Sequence, residues 1–121
     1  MAINQTLNYL LAKRADAILC FGATVTTAST YLNGAGGVAG DGLPMPRAGR
    51  VIRVDCWDGA LLKSSTGSIA FSQKDRLSVY ANASGANFNA TVRLNGVDST
   101  LAANGAAQNT DLQVVLHVRF D

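Results

Sequence analysis

The stretch GDGLPMPRAGRVIRVDCWDG, residues 40–59, joins a loop rich in glycine and proline to the strongest strand pattern of the chain. Both prolines of the protein, Pro44 and Pro46, lie in this loop. Each proline fixes its own φ and favours an extended conformation in the residue before it. The loop is therefore expected to be locally rigid, and the strand that follows it decides the fold.

That strand runs from Arg50 to Trp57 and alternates apolar with charged side chains. Ile52, Val54 and Cys56 are predicted on its buried side, a pattern typical of a half-buried strand. Asp58-Gly59 comes directly after it, and this dipeptide favours a tight two-residue hairpin turn. The stretch thus predicts an antiparallel arrangement.

Short strands are predicted along most of the remaining chain. The clearest spans residues 111–121 and predicts a core row formed by Leu112, Val114, Leu116, Val118 and Phe120. Asn95-Gly96 is a second strong hairpin signal. The other predicted strands are 18–25, 26–32, 60–65, 68–73, 75–82, 88–95 and 97–101, and 102–110 is predicted to be a loop. About eight or nine short strands with regular turn signals predict an all-β fold, an antiparallel two-sheet β-sandwich of jelly-roll type.

Residues 1–15, MAINQTLNYLLAKRA, form the one segment with a helical pattern, and they precede a single predicted β-sandwich domain of residues 16–121. Leu7, Leu10 and Leu11 share one face of that predicted short helix. The helix would be marginal unless this face docks on a surface. Two alternatives follow: the segment packs on its own domain, or it is an arm that reaches a neighbouring subunit.

Composition limits the classes of function. The 121 residues carry ten basic and eight acidic side chains, a formal net charge of +2, and all the acidic residues are aspartates. No basic stripe indicates nucleic acid as a partner. There is no apolar run long enough for a membrane span, and no recognisable secretion signal. We expect a soluble globular protein, made inside the cell, that binds neither nucleic acid nor membrane.

Candidate catalytic and metal-binding residues are few. His117 is the sole histidine, so a metal site lacks its usual set of ligands, and a surface position is expected. Asp41 and Asp58 each precede glycine, where turn geometry favours aspartate, and Asp55 completes the acidic candidates. Cys20 and Cys56 lie in apolar strand patterns and are expected to be free and buried, with a bridge between neighbouring strands as the alternative. We expect no enzyme activity, no metal and no cofactor.

Several residues of the sequence are of types that are common in contacts with other molecules. Trp57 stands at a strand end, where it either covers the core or anchors a partner. Met45 between the two prolines has the same two alternatives. Five outward-facing residues have two alternatives: they form an aromatic and arginine patch, as in sugar-binding sites, or they are ordinary solvated surface residues, which is the favoured alternative. These residues are Tyr31, Tyr80, Arg53, Arg76 and Arg93.

Three phrases carry a resemblance to a known family: DGLPMPRAGRVIRV, DRLSVYAN and NTDLQVVLHVRF. Together they resemble the trimeric β-sandwich cement (decoration) proteins on the outer capsid shell of tailed bacteriophages, including cyanophages. The resemblance implies a virion protein that forms a homotrimer, binds the major capsid protein and reinforces the shell.

On the basis of this resemblance, we predict that residues 1–14 and 34–49 make the contacts between subunits and with the capsid. The predicted contact residues are Leu7, Leu10, Leu11, Met45, Arg47 and Trp57. Two other classes of function stay open. One is a receptor- or carbohydrate-binding head domain of a phage fibre, and the other is a small hydrolase that uses Asp41, Asp55 or Asp58.

Overall fold

The structure is a computed structural model and describes residues 16–34 and 42–121. Within these residues, ten strands form two antiparallel sheets. The strands are β1 (Asp16–Val25), β2 (Thr30–Tyr31), β3 (Asn33–Gly34), β4 (Leu43–Pro44), β5 (Gly49–Trp57), β6 (Leu62–Phe71), β7 (Arg76–Ser84), β8 (Asn87–Leu94), β9 (Val97–Ala107) and β10 (Thr110–Phe120).

The first sheet has the strand order β3-β1-β10-β5-β6. The second sheet has the order β2-β7-β8-β9, and β4 also pairs with β7. The all-β, antiparallel two-sheet sandwich predicted from the sequence is confirmed. The predicted N-terminal helix or arm, residues 1–15, lies outside the described residues.

The core lies between the sheets and follows the alternation of the long strands. All five members of the row predicted on β10, from Leu112 to Phe120, are buried. On the facing sheet, Phe88, Ala90 and Val92 of β8 are buried as predicted. Because successive side chains of a strand point to opposite faces, one apolar row per strand suffices to fill the space between two sheets.

One strand breaks the predicted alternation. Val51 is buried and Ile52 is only partly buried, so the prediction that Ile52 shares the core side with Val54 is wrong. The reason is a bulge: His117 pairs with Arg53 and Val118 pairs with Val51, which leaves Ile52 without a partner on β10. The pairing with β6 shifts at the same place. A bulge inserts one unpaired residue and bends the strand around it.

Other differences concern where strands end. The two strands predicted at 60–65 and 68–73 form one strand, β6, and most of the loop predicted at 102–110 belongs to β9. In the predicted strand 26–32, the structure has only the two residues of β2. Strand β9 passes through Gly105, which has a φ of +86°, at a shift of register with β8. Pairing along the whole of β8 thus overrides the local turn signal of Asn104-Gly105.

The two predicted hairpins differ in outcome. Asn95 and Gly96 have φ values of 52° and 79° and connect β8 to β9, which confirms the tight turn. The turn after β5 is longer than the predicted two residues, because Trp57 and Leu62 form the last pair of the two strands and residues 58–61 connect them. Asp58 stabilises this longer turn by accepting hydrogen bonds from the backbone N–H groups of Ala60 and Leu61.

Candidate functional site

An exposed apolar patch, here called the Trp57 patch, consists of Trp57 and Leu62 on the outer face of the first sheet and of Leu61 in the turn that precedes Leu62. Trp57 ends β5 and pairs directly with Leu62, which begins β6, so their side chains share a face. Trp57 is 42% exposed, and Leu61 and Leu62 are each 58% exposed. Three neighbouring large apolar side chains at one hairpin tip make a surface suited to contact with another macromolecule.

The hairpin that carries the Trp57 patch is held firmly to the other strands. The Asp58 carboxylate also accepts a hydrogen bond from the N–H of Ala107, at 3.0 Å, and the Thr110 hydroxyl donates to the Asp58 carbonyl oxygen at 2.9 Å. The backbone hydrogen bonds from Leu61, Ala60 and Ala107 lower the pKa of Asp58 below its ordinary value, despite its burial. The Trp57 patch therefore surrounds a turn that several hydrogen bonds hold to the rest of the fold.

Next to this patch on the same face lies a polar group of residues, here called the Asp55 cluster. The Asp55 carboxylate accepts hydrogen bonds from Arg53 Nε at 2.8 Å and from the Ser64 hydroxyl at 2.5 Å, and His117 Nε2 lies 2.8 Å from its other oxygen. Burial acts to raise the pKa of Asp55, but the hydrogen bonds from Ser64, Arg53 and His117 outweigh it and lower the pKa.

The geometry of the Asp55 cluster differs from that of a nucleophilic triad. Ser64 donates to the carboxylate, whereas a triad requires the hydroxyl to donate to the imidazole. His117 lies on the outer face, as predicted, and its side chain is 35% exposed. The cluster joins β5, β6 and β10 across the surface of the sheet.

A groove of about 450 Å³ opens on the first sheet beside the bulge of β5. We call it the first-sheet groove. Ile18 and Ile52 give it apolar walls, and Ile18 is 63% exposed. An ion pair between Asp16 and Arg119, with Oδ1 and Nε 3.2 Å apart, lies along it. The remaining lining residues are Ala17, His117 and Val118.

The outer face of the second sheet carries a different group, here called the Arg93 cluster. The rings of Tyr31 and Tyr80 meet edge to face, with centroids 4.8 Å apart. The Arg93 guanidinium lies 3.8 Å from the Tyr80 ring centroid, and its Nη1 donates to the Tyr31 hydroxyl at 2.7 Å. Asp98 accepts from Arg93 Nε at 2.6 Å. Burial acts to lower the pKa of Arg93, but Asp98 and Tyr31 raise it.

The structure brings together three of the five residues of the predicted aromatic and arginine patch. Tyr31, Tyr80 and Arg93 meet in the Arg93 cluster. Arg53 lies on the other sheet, in the Asp55 cluster. Arg76 lies on β7, and its Nε is buried with no hydrogen-bond partner in the described part of the chain.

The predicted contact residues have different positions. Trp57 is exposed, whereas Met45 is only 3% exposed and belongs to the core, the first of the two alternatives for this residue. Its backbone explains this burial, because the N–H of Met45 bonds to Asp75 and its carbonyl accepts from Lys74, each at 2.8 Å. The Arg47 guanidinium donates to the backbone carbonyl of Asp121. Leu7, Leu10 and Leu11 lie outside the described residues.

The cysteines and acidic candidates also have defined positions. Both cysteines are free; Cys56 is buried as expected, but Cys20 is exposed, because it points to the outer face of β1 while Phe21 points inward. Asp41 lies outside the described residues. Over residues 16–34 and 42–121, no group of three or more histidine, cysteine or acidic side chains could hold a metal ion.

The sequence did not indicate two features of the first sheet. Leu61 and Leu62 were assigned to an ordinary strand, although two adjacent leucines directly after a hairpin turn cannot both face a core and thus signal exposure. The first-sheet groove could not be predicted from a local sequence pattern, because it depends on the bulge at Ile52, which is set by the pairing of β5 with β10 and β6.

Comparisons with known proteins do not place the chain in a family: no family model, curated protein or solved structure matches it. Among the residues that the structure describes, no helix is long and apolar enough to cross a membrane.

Proposed function

We propose that this chain is a non-enzymatic structural protein of a virion, a cement (decoration) protein that binds the outer surface of the capsid as a homotrimer and stabilises the shell. The observation that carries the proposal is the Trp57 patch, an exposed apolar surface on a rigid part of the sheet. The resemblance of three sequence phrases to capsid cement proteins supplies the class of partner, the major capsid protein.

The energetics of the Trp57 patch suit a docking surface. Binding energy at interfaces concentrates in a few large side chains, among which tryptophan is enriched. Asp58 holds the hairpin with three backbone hydrogen bonds, so little conformational freedom would be lost when the patch meets a partner. A protein that reinforces a shell needs surfaces of this preorganised kind.

The side chains that could carry chemistry support a structural role. Asp55 and Asp58 both use their carboxylates for hydrogen bonds within the fold. Their lowered pKa values favour the ionised form, which suits acceptors and is unsuited to a general acid at neutral pH. These observations favour assembly over hydrolysis.

The proposal is tested by binding to capsids of the virus that encodes the chain, prepared without it. We expect the wild-type protein to sediment with these capsids and to raise their disruption temperature. Trp57→Ala should weaken binding about 30-fold, since truncating a central anchor removes about 2 kcal/mol. The matched control is Val97→Ser, which alters a side chain that is 68% exposed on the other sheet. Equal binding by wild type and Trp57→Ala would contradict this role for the patch.

The second candidate function is a carbohydrate-binding head domain of a phage fibre. The Arg93 cluster favours it, because two tyrosines and an arginine meet on one surface. Arg93 already covers one face of the Tyr80 ring, so a sugar would have to contact the edges of this cluster. A glycan-array signal that is lost in Tyr80→Ala and kept in Tyr80→Phe would support this function over the capsid role.

A further inference from the structure

We infer that the first-sheet groove binds the N-terminal segment of a neighbouring copy of this chain, with Leu7, Leu10 and Leu11 as the side chains that enter it. The inference rests on the proposed homotrimer and specifies the contact that would assemble it. The N-terminal segment has an apolar face that must dock on a surface to be stable, and the groove is an apolar surface lined by the residues that follow this segment.

The groove has the character of a binding surface. Ile18, at 63% exposure, has a largely uncovered side chain, and in the described part of the chain no element covers this face of the sheet. The bulge turns Ile52 out of the core toward the groove. Bulges often re-aim side chains in this manner beside functional sites. Two isoleucines with a polar rim of Asp16, Arg119 and His117 suit an amphipathic segment.

The N-terminal segment, residues 1–15, is followed directly by residues that line the groove. Asp16, Ala17 and Ile18 line the groove and are the first residues that the structure describes. Fifteen residues precede them. Leu11 and Leu7 lie five and nine residues before Asp16, which corresponds to about 8–14 Å in a helix and about 17–30 Å when extended. The leucines can therefore enter the groove of a neighbouring copy that lies within this distance of Asp16.

The residues between the leucines and Asp16 favour a neighbouring groove over the chain's own. To reach its own groove, the chain must reverse direction within residues 12–15, whose sequence is AKRA. This tetrapeptide contains no glycine, proline, asparagine or aspartate, the residues that favour tight reversals. Alanine, lysine and arginine instead favour continuation of a helix. The sequence of residues 12–15 therefore favours the groove of a neighbouring copy over the groove that Asp16 adjoins.

A contact of this kind has a consequence for assembly. The segment of one copy and the groove of the next are different surfaces, so the interface is head-to-tail. Such interfaces form a closed ring when the rotation between copies matches the symmetry, and a trimer is one such ring. Each copy then gives one segment and accepts one.

The experiment uses the full chain with two sets of substitutions and measures mass by light scattering coupled to size exclusion. The segment variant is Leu7→Ser, Leu10→Ser and Leu11→Ser; the groove variant is Ile18→Ser and Ile52→Ser. We expect a trimer for the wild type and a monomer for each variant. Val97→Ser is the matched control and should stay trimeric. A native circular dichroism spectrum and a cooperative melting transition show that each variant is folded; the melting temperature should be lower than that of the trimer, because assembly adds stability.

Mixing the two variants provides the decisive measurement. The groove variant has an intact segment and the segment variant has an intact groove, so they can form one contact but no ring. As concentration rises, the mass of the mixture should approach two chains, while neither variant alone gains mass. No gain in the mixture would overturn the inference, as would a segment variant that stays trimeric or a monomeric wild type. The capsid-binding test with Trp57→Ala is measured separately. If the wild type is a trimer and the segment variant stays trimeric, the segment contact fails and the proposed function stands, whereas a monomeric wild type would also remove the homotrimer from the proposed function.

Discussion

Arg93 lies with its guanidinium 3.8 Å from the centroid of the Tyr80 ring, and this relationship ties the second sheet together. Tyr80 belongs to β7 and Arg93 to β8, and Arg93 also bonds to Tyr31 on β2 and to Asp98 on β9. One side chain of β8 thus contacts the three other strands of the order β2-β7-β8-β9. A cation over an aromatic ring, combined with charge-assisted hydrogen bonds, is among the stronger surface arrangements.

Arg93→Ala should lower the free energy of unfolding by about 2 kcal/mol, because it removes the contact with Tyr80 and two hydrogen bonds. Arg93→Lys should recover less than half of this loss, since an ammonium lacks the planar fork that reaches Tyr31 and Asp98 together. Urea denaturation measures both effects. Arg119→Ala is the matched control: it breaks an exposed ion pair with Asp16, so it should change stability by less than about 0.5 kcal/mol. An equal effect of both alanine variants would refute the proposed role of Arg93.

Gly49→Ala should destabilise the protein by about 3 kcal/mol, because an added Cβ would lie 2.4 Å from the carbonyl oxygen of Arg119 and 2.8 Å from the Cα of Phe120. Both of these atoms are backbone, so relief requires β5 and β10 to separate. Gly85→Ala serves as the comparison. Gly85 has a φ of +61° but no atom within 4 Å of an added Cβ, so only conformational strain of about 1 kcal/mol is expected. A thermal melt that ranks Gly85→Ala as the more damaging change would contradict this account.

Acid should destabilise the fold through Asp58. Its folded pKa is lowered, so its contribution is fully present above the unfolded value, close to 3.8, and is lost as pH falls through the folded value. Asp58→Asn should reduce stability at pH 7 by about 1–2 kcal/mol, because an amide nitrogen would replace one acceptor oxygen of the carboxylate. The variant should also lose less stability between pH 5 and pH 2 than the wild type. Urea denaturation across this range measures the difference, and parallel pH profiles would exclude Asp58 as a source of acid sensitivity.

The core rows could be predicted from sequence, because they depend on local alternation alone. Leu112, Val114 and Leu116 are buried because β10 is the central strand of the first sheet and these side chains face the second sheet. Their spacing of two residues is the pattern of a strand with one buried face, so it predicts this burial. Val51 and Ile52 could not be assigned in the same manner. Their orientation depends on a bulge that is set by the register of β5 with both of its neighbours.

The contact surfaces were predicted only in part, for a similar reason. Trp57 was identified as a contact candidate by residue type, but its pairing with Leu62 depended on a turn longer than its Asp-Gly signal implied. For Met45 the sequence leaves open whether the side chain is buried or exposed, because its burial follows from the pairing of β4 with β7 and from backbone bonds to residues 74 and 75. Long-range pairing of this kind leaves no signal in a short stretch of sequence.

The two cysteines should react at very different rates with a thiol reagent such as DTNB. Cys20 is exposed on β1, whereas Cys56 is buried between the sheets. Burial, with a further contribution from the charge of Asp58, raises the pKa of the Cys56 thiol to about 11. Because the thiolate is the reactive form, Cys56 should react only when the fold opens. We expect one thiol per chain to react rapidly at pH 8, and Cys20→Ser to abolish this phase. The second thiol should become reactive in denaturant, and its rapid reaction in the native Cys20→Ser protein would show that β5 is less well covered than the structure indicates.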